Sequence, residues 1–221
     1  TADAEIANKT DVVLTSVAGN EKAIGYISLG ALNDTVKAVK VDGAEATVDN
    51  VKAGAYKLSR PFNIATKGEP TGVAKDFISF ILSKEGQAVV TDNKYIAVND
   101  AAESFVSDGS SGQIAVGGSS SVSPVMEKLI EAYKSVNPNA SIDLQTSDST
   151  SGMTGAMDGT FAIGMASREL KDEEAAQLTG TAIALDGIAV IVNPANTIDE
   201  LSMDQIKSIY VGDITDWGDL A

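Results

Sequence analysis

Three hydroxyl-rich stretches carry the residues whose types and spacing can do chemistry. They are Ser119-Ser120-Ser121 after "QIAVGG", Ser149-Thr150-Ser151-Gly152 after "SIDLQTS", and Ser167 after "FAIGMA". Each follows or ends an apparent strand, and the first two run into a helix. Hydroxyls and free backbone N–H groups at a helix N-terminus present dipoles suited to an anion. Hydrogen bonds to such a charged acceptor are about twice as strong as neutral ones. The implied ligand is a small oxyanion. The competing account is structural, since Ser, Thr and Gly are ordinary turn residues and one serine can cap the helix that follows.

Other chemistries are narrowed by composition. The 221 residues contain no histidine and no cysteine. That removes Ser-His-Asp and Cys-His catalysis, disulfides, and thiolate or imidazole metal sites; no cofactor or metal is expected. The net charge of -15 argues against a nucleic-acid surface. An acidic protein still binds an anion where neutral N–H and O–H dipoles do the local work. Glu127, Asp148 and Glu169 neighbour the loops, but no pair of carboxylates has spacing suited to acid–base catalysis. A lysine-activated serine nucleophile finds no Ser-x-x-Lys at a helix start; Ser79, the nearest case, lies inside a helix. Arg168 and Arg60 can reach an anion, yet isolated arginines are more often solvated or paired. Lys171-Asp172-Glu173-Glu174 reads as a solvated helix start, and Trp217 as a packing residue. Asp186-Gly187 reads as a bend between strand halves, or a hinge.

The elements that must position the hydroxyls alternate between strands and helices, so the fold class is α/β. "VSPVMEKLIEAY" is a helix: Val125, Met126, Leu129, Ile130 and Tyr133 recur at three and four residues, and Pro124 fits only its first turn. "TVDNVKAG" is a short helix with Thr47 as N-cap and Gly54 as stop. Residues 71–90 form one amphipathic helix. Ser202 and Gln205 have capping-box spacing, and Leu201 can staple onto Ile206. Residues 56–68 are extended, and Pro61 makes them a poor central strand. Residues 104–113, "SFVSDGSSGQ", read as a flexible linker or loop. In an α/β sheet ligands bind beyond the carboxyl ends of parallel strands, so three polar turns there would converge.

Taken together, "VGGSSSVSPVMEKLIEAY", "STSGM", "FAIGMASREL", "DGIAVIVNP", "LSMDQIKSIYVGDITDW", "AGNEKAIGYISLG" and "FISFILSKEGQAVV" resemble the PstS-type phosphate-binding proteins of ATP-driven importers. The resemblance implies a type II periplasmic-binding-protein fold whose two lobes close over one phosphate in a cleft, without catalysis. It implies ABC-transporter membrane subunits as partners and a place outside the cytoplasmic membrane. Carried over by motif, the phosphate ligands fall on Ser120 and Ser121, on Thr150 and Ser151, and on Ser167. Some relatives have an Asp at the third position that reads the proton of phosphate; here Arg168 follows Ser167, which weakens the case for discrimination against sulfate.

Two departures from the family pattern bear on function. The "FILSKEGQAVV" helix precedes "GGSSSVSP", whereas the family has the reverse order, which reads as a circular permutation, natural or engineered. The family's Arg-x-x-Gly-Ser-Gly-Thr turn occurs nowhere in these residues, which implies weakened binding. The expected lobes are residues 57–193, carrying the hydroxyl loops and a Ser/Gly linker near 106–112, and residues 1–56 with 194–221. The second would be incomplete, with an exposed sheet edge. A scaffold that self-associates through that edge into a homo-oligomer and no longer binds phosphate is the alternative.

Overall fold

A computed structural model describes residues 4–220 of the chain. The elements run α1 (Thr10–Ala18), β1 (Ile24–Ser28), β2 (Lys37–Ala38), β3 (Lys40–Val41), α2 (Val48–Lys52), β4 (Ser59–Thr66), α3 (Gly72–Ile81) and α4 (Lys84–Asp92). They continue with β5 (Gly112–Ser119), α5 (Ser123–Val136), β6 (Ala140–Ser147), α6 (Ser149–Asp158), β7 (Ile163–Ala166), α7 (Asp172–Ala175), β8 (Thr179–Val192), β9 (Glu200–Leu201) and α8 (Met203–Val211). The chain divides into two compact units, residues 1–59 with 187–221, and residues 60–186.

Local chemistry explains most element ends in the first unit. The Thr47 side chain accepts from the Asn50 amide and starts α2, and Gly54 follows it at φ 71°. Ser202 and Gln205 form a reciprocal capping box that starts α8, with Leu201 and Ile206 both buried beside it. Strand β1 pairs antiparallel with the 188–192 part of β8, from Ile24 opposite Val192 to Ser28 opposite Ile188. Val17, Ile27, Leu29, Val36, Ala189 and Ile191 form the core. Trp217 is half-buried, and its indole N–H donates to the Lys22 carbonyl at 3.1 Å.

The 60–186 unit holds the long parallel strands; in the other unit β3 and β9 form a two-residue parallel pair. Strand β5 pairs parallel with β6 on one side and β7 on the other, and β4 pairs antiparallel with β7. Phe62, Phe77, Phe80, Met126, Leu129, Ile163 and Met165 lie in one continuous core under α3, α4 and α5. The apolar face of α5 read from the sequence is therefore the buried one, with Pro124 in its first turn.

Two expectations are corrected. Residues 71–90 are not one helix: α3 ends at Ile81 and α4 restarts at Lys84. Ser83 drives the break by accepting from the Gly86 amide while donating to the Phe80 carbonyl at 2.6 Å. A Cβ on Gly86 would meet the Phe80 and Ile81 carbonyls, so the tight restart needs glycine. Strand β4 is interior, between β7 and β8, despite Pro61. Its ladder to β7 runs over Asn63–Ala65, two residues beyond the proline, so the missing N–H interrupts no bond on that side. The division between the two units falls between Asp186 and Gly187, the pair read as a bend or hinge, within the continuous strand β8; Asp186 is fully buried there, its carboxylate 3.1 Å from the Arg60 guanidinium.

Residues 104–111 are irregular, as the composition implies, and Gly112 opens β5, but the segment is tied down. The Phe105 amide donates to Glu85 at 2.7 Å, and the Phe105 ring packs edge-on to Phe80. The buried Asp76 carboxylate then accepts from the Ser107 hydroxyl at 2.8 Å and the Asp108 amide at 2.9 Å. It also accepts from the Tyr133 hydroxyl of α5 at 2.7 Å and from the side chain of Asn137, the C-cap of that helix, at 3.0 Å. Burial pushes the Asp76 pKa up, but these donors outweigh it and hold the group below the usual carboxylate range.

Candidate functional site

Glycines bring the three hydroxyl stretches together. Gly118, the penultimate residue of β5, sits at φ +138° in the region that side chains avoid. A Cβ there would strike the Met165 carbonyl of β7. A Cβ on Gly152, in the first turn of α6, would lie 2.6 Å from that same carbonyl and 2.7 Å from the Gly118 Cα. Gly117 and Gly155 both leave room for the Phe161 ring. Backbone of β5, β7 and α6 therefore meets with no side chain between. The strand register, Ser119 opposite Ser147 and Gly118 opposite Met165, places the carboxyl ends of β6, β5 and β7 side by side.

The hydroxyls meet at those ends. The Ser119 hydroxyl donates to Ser167 Oγ at 3.0 Å. Ser149 Oγ lies 3.5 Å from Ser167 Oγ and accepts from the Ser167 amide at 3.1 Å. The Ser121 amide donates to Ser119 Oγ at 3.3 Å, and the Ser120 amide to the Ser147 carbonyl at 3.0 Å. Ser120, Ser121 and Ser167 are half-buried, and Thr150 is exposed. Of the residues expected from sequence, Ser120, Ser121, Thr150 and Ser167 thus lie around one cluster. Ser151 is used differently, because its hydroxyl donates to Asp148 Oδ2 at 2.7 Å. Ser119 and Ser149 join the cluster without having been picked out individually. Their signal was membership of the same stretches, and choosing among adjacent serines requires side-chain direction.

The two helix N-termini differ. On α6, Asp148 is the N-cap: its Oδ1 accepts from the Thr150 and Ser151 amides at 2.8 and 3.0 Å. Those bonds hold its pKa below the ordinary value, so Asp148 serves as a carboxylate cap rather than as a proton-transfer group. The Thr150 and Ser151 amides are thereby committed, and a ligand beside them meets hydroxyls. On α5 the N-cap is Val122, with no side-chain cap. The expected capping serine is absent there; Ser123 instead donates to the Ser119 carbonyl and bonds the Thr146 hydroxyl at 2.8 Å, fixing α5 to β5 and β6.

Arg168 is paired rather than solvated. It makes two bonds to Glu174, Nη1 to Oε2 at 2.7 Å and Nη2 to Oε1 at 2.8 Å. Lys171, Asp172 and Glu173 form an exposed helix start as read, but Glu174 is buried, which corrects the reading for that residue. The same Nη2 that bonds Glu174 Oε1 also faces Thr150 Oγ1 at 3.5 Å. The arrangement offers several O–H donors with a guanidinium at its margin, and suits a tetrahedral oxyanion rather than a cation.

Comparison with known proteins bears on what that oxyanion is. A model of the PBP superfamily domain matches residues 1–85 and 104–221. The phosphate-binding protein PstS 2 of Streptococcus agalactiae serotype V is 51% identical over 220 residues, covering 99% of this chain and 75% of the relative. The phosphate-binding protein PstS 2 of Streptococcus pneumoniae serotype 4 is 49% identical over 214 residues, 97% of this chain and 74% of that one. The crystal structure of a phosphate ABC transporter, phosphate-binding protein from S. pneumoniae TIGR4 superposes with a TM-score of 0.78 at 48% identity, covering 99% of this chain and 85% of that chain.

Proposed function

We propose, for a chain that belongs to the PstS family of phosphate-binding proteins, that its hydroxyl turns hold inorganic phosphate for an ABC-type importer. Proteins of this family bind and do not catalyse. The observation that carries the reading is the meeting of Ser119, Ser149 and Ser167 at the ends of adjacent parallel strands, beside Ser120, Ser121 and Thr150. Ser151 serves the Asp148 cap and stays outside the ligand set in this proposal. Kinship supports a place outside the cytoplasmic membrane and membrane subunits of the importer as partners. Likeness over 220 residues to a streptococcal relative favours a native order of segments over an engineered one.

The Arg-x-x-Gly-Ser-Gly-Thr turn is not in these 221 residues. A buried anion that loses a charged partner binds more weakly by about 3–5 kcal/mol. Calorimetry and NMR titration of the 221-residue chain with phosphate are expected to show weak, saturable binding. Ser167→Ala is expected to weaken it by roughly tenfold, the worth of one hydrogen bond to a charged acceptor. Micromolar affinity of the unaltered chain would disprove the deficit, and an unchanged Ser167→Ala would remove this site from consideration.

A second reading, self-association without phosphate binding, is favoured by one feature of the 1–59 and 187–221 unit. Strand β1 is last in its strand order, and its Tyr26 is 52% exposed. The Tyr26 ring meets Tyr210 edge-on at 5.6 Å, and the Tyr210 hydroxyl has no hydrogen-bond partner among the described residues. An open edge with an apolar face invites a second copy. Mass measurement in dilute solution is expected to detect dimers under this reading; monomer alone at all concentrations would refute it.

A further inference from the structure

We propose that Arg168 is a positioning residue for phosphate: held by the buried Glu174, its guanidinium occupies a lone pair of the Thr150 hydroxyl and so fixes that hydroxyl as a donor to the anion. The inference rests on the phosphate reading of the hydroxyl cluster. A hydroxyl has one proton and two acceptor sites, and can point its proton either way. A guanidinium has donors only. Where Arg168 Nη2 faces Thr150 Oγ1 at 3.5 Å, the hydroxyl proton must turn elsewhere. The nearest carboxylates already accept several bonds. The Asp148 carboxylate takes the Thr150 and Ser151 amides and the Ser151 hydroxyl, and Glu174 takes both arms of Arg168 and the Lys171 amide at 2.8 Å.

The geometry of the pair favours orientation over charge. Two parallel bonds to Glu174 fix the guanidinium plane, and a third bond runs from Nη1 to the Glu169 carbonyl at 3.0 Å. Glu174 also cancels the charge of Arg168, and Asp148 and Glu173 add negative charge nearby. A free counter-charge for phosphate would not be neutralised by a buried carboxylate in this way. Arg168 therefore acts through Thr150, and what it contributes is the direction of one proton.

The test is a phosphate titration, followed by NMR, of the 221-residue chain and four variants. Removing both charges in Arg168→Met/Glu174→Gln avoids leaving Glu174 buried and unpaired. It is expected to weaken phosphate binding about tenfold or more, the worth of one charge-assisted bond. In a Thr150→Val background the same pair is expected to change affinity less than twofold, because the hydroxyl it orients is gone. Equal losses in both backgrounds would overturn the proposal. Arg168→Lys keeps the charge and loses the planar fork; it is expected to bind several-fold more weakly, and unchanged affinity would also overturn the proposal, whether or not the double variant folds. If phosphate perturbs no resonance of the unaltered chain, the site itself is misread and this inference falls with it. A response that survives in the unaltered chain but is untouched by every Arg168 variant overturns the inference alone.

Discussion

Gly152→Ala is expected to destabilise the 60–186 unit by about 2–3 kcal/mol and to cost the phosphate response as well. The added methyl would lie 2.6 Å from the Met165 carbonyl, 2.7 Å from the Gly118 Cα and 2.9 Å from the Gly117 carbonyl. All three are backbone atoms in paired strands, so none can yield as a flexible side chain would. The helix must move instead. Its first turn carries Ser149 and Thr150, and a shift of a few tenths of an ångström lengthens the bond from the Ser167 amide to Ser149 Oγ, now 3.1 Å. Alanine in place of a helical glycine ordinarily stabilises by up to about 1 kcal/mol, so the measured loss is what remains after that gain. The exposed Thr154, two residues on, is the control: Thr154→Ala should change neither. Urea unfolding and a phosphate titration of both variants decide the matter. A Gly152→Ala protein as stable and as responsive as the parent would show that the close approach is not needed.

The second large effect is expected at Asp76. Its carboxylate takes four donors in a buried position: Tyr133, Asn137, Ser107 and the Asp108 amide. Asp76→Ala leaves those donors facing a cavity, and each unsatisfied buried group costs about 1–3 kcal/mol. A loss of about 3 kcal/mol or more is expected, with the 104–113 segment becoming accessible to protease. The pH dependence has a definite sign. The Asp76 pKa is depressed in the folded state, so its contribution is complete above the unfolded value of about 4 and is lost as pH falls through the folded value. Glu174, held down first by its bonds to Arg168, behaves in the same way. Stability should therefore be nearly flat from pH 7 to about 5 and drop below about 4. Asp76→Asn, which cannot titrate, should show a shallower acid drop than the parent in chemical unfolding. A parallel drop would place the acid sensitivity elsewhere.

Both predictions rest on residues that looked ordinary in the sequence. Gly152 read as loop composition, and Asp76 as one of 31 acidic residues. Neither has a local signature of its role, because a glycine needed for close approach and a glycine in a turn are the same letter. Asp148 is the reverse case. It stood beside a hydroxyl stretch and invited a role in proton transfer, yet it is the N-cap of α6, a role its place before Ser149 and Thr150 was enough to suggest. Ser83 and Gly86, which split the 71–90 helix, were hidden by an apolar periodicity that runs through the break.

What the sequence determined by itself was local. Thr47, Gly54, Pro124 and the Ser202–Gln205 pair specify where helices start and stop, because those effects act over four residues or fewer. Alternation of strands and helices specified the α/β class, and the hydroxyl stretches specified a chemistry. The tertiary structure decided which hydroxyls face one another. Ser119 reaches Ser167 across 48 residues only because β5 and β7 are neighbours in parallel register, and Ser149 joins them only because Gly118 and Gly152 let α6 rest on the strand ends. It also decided that Glu174 is buried against Arg168 and that Asp76 holds the 104–113 segment. Such pairings depend on strand order and on the distance between backbones, and neither quantity is set by neighbours in the chain.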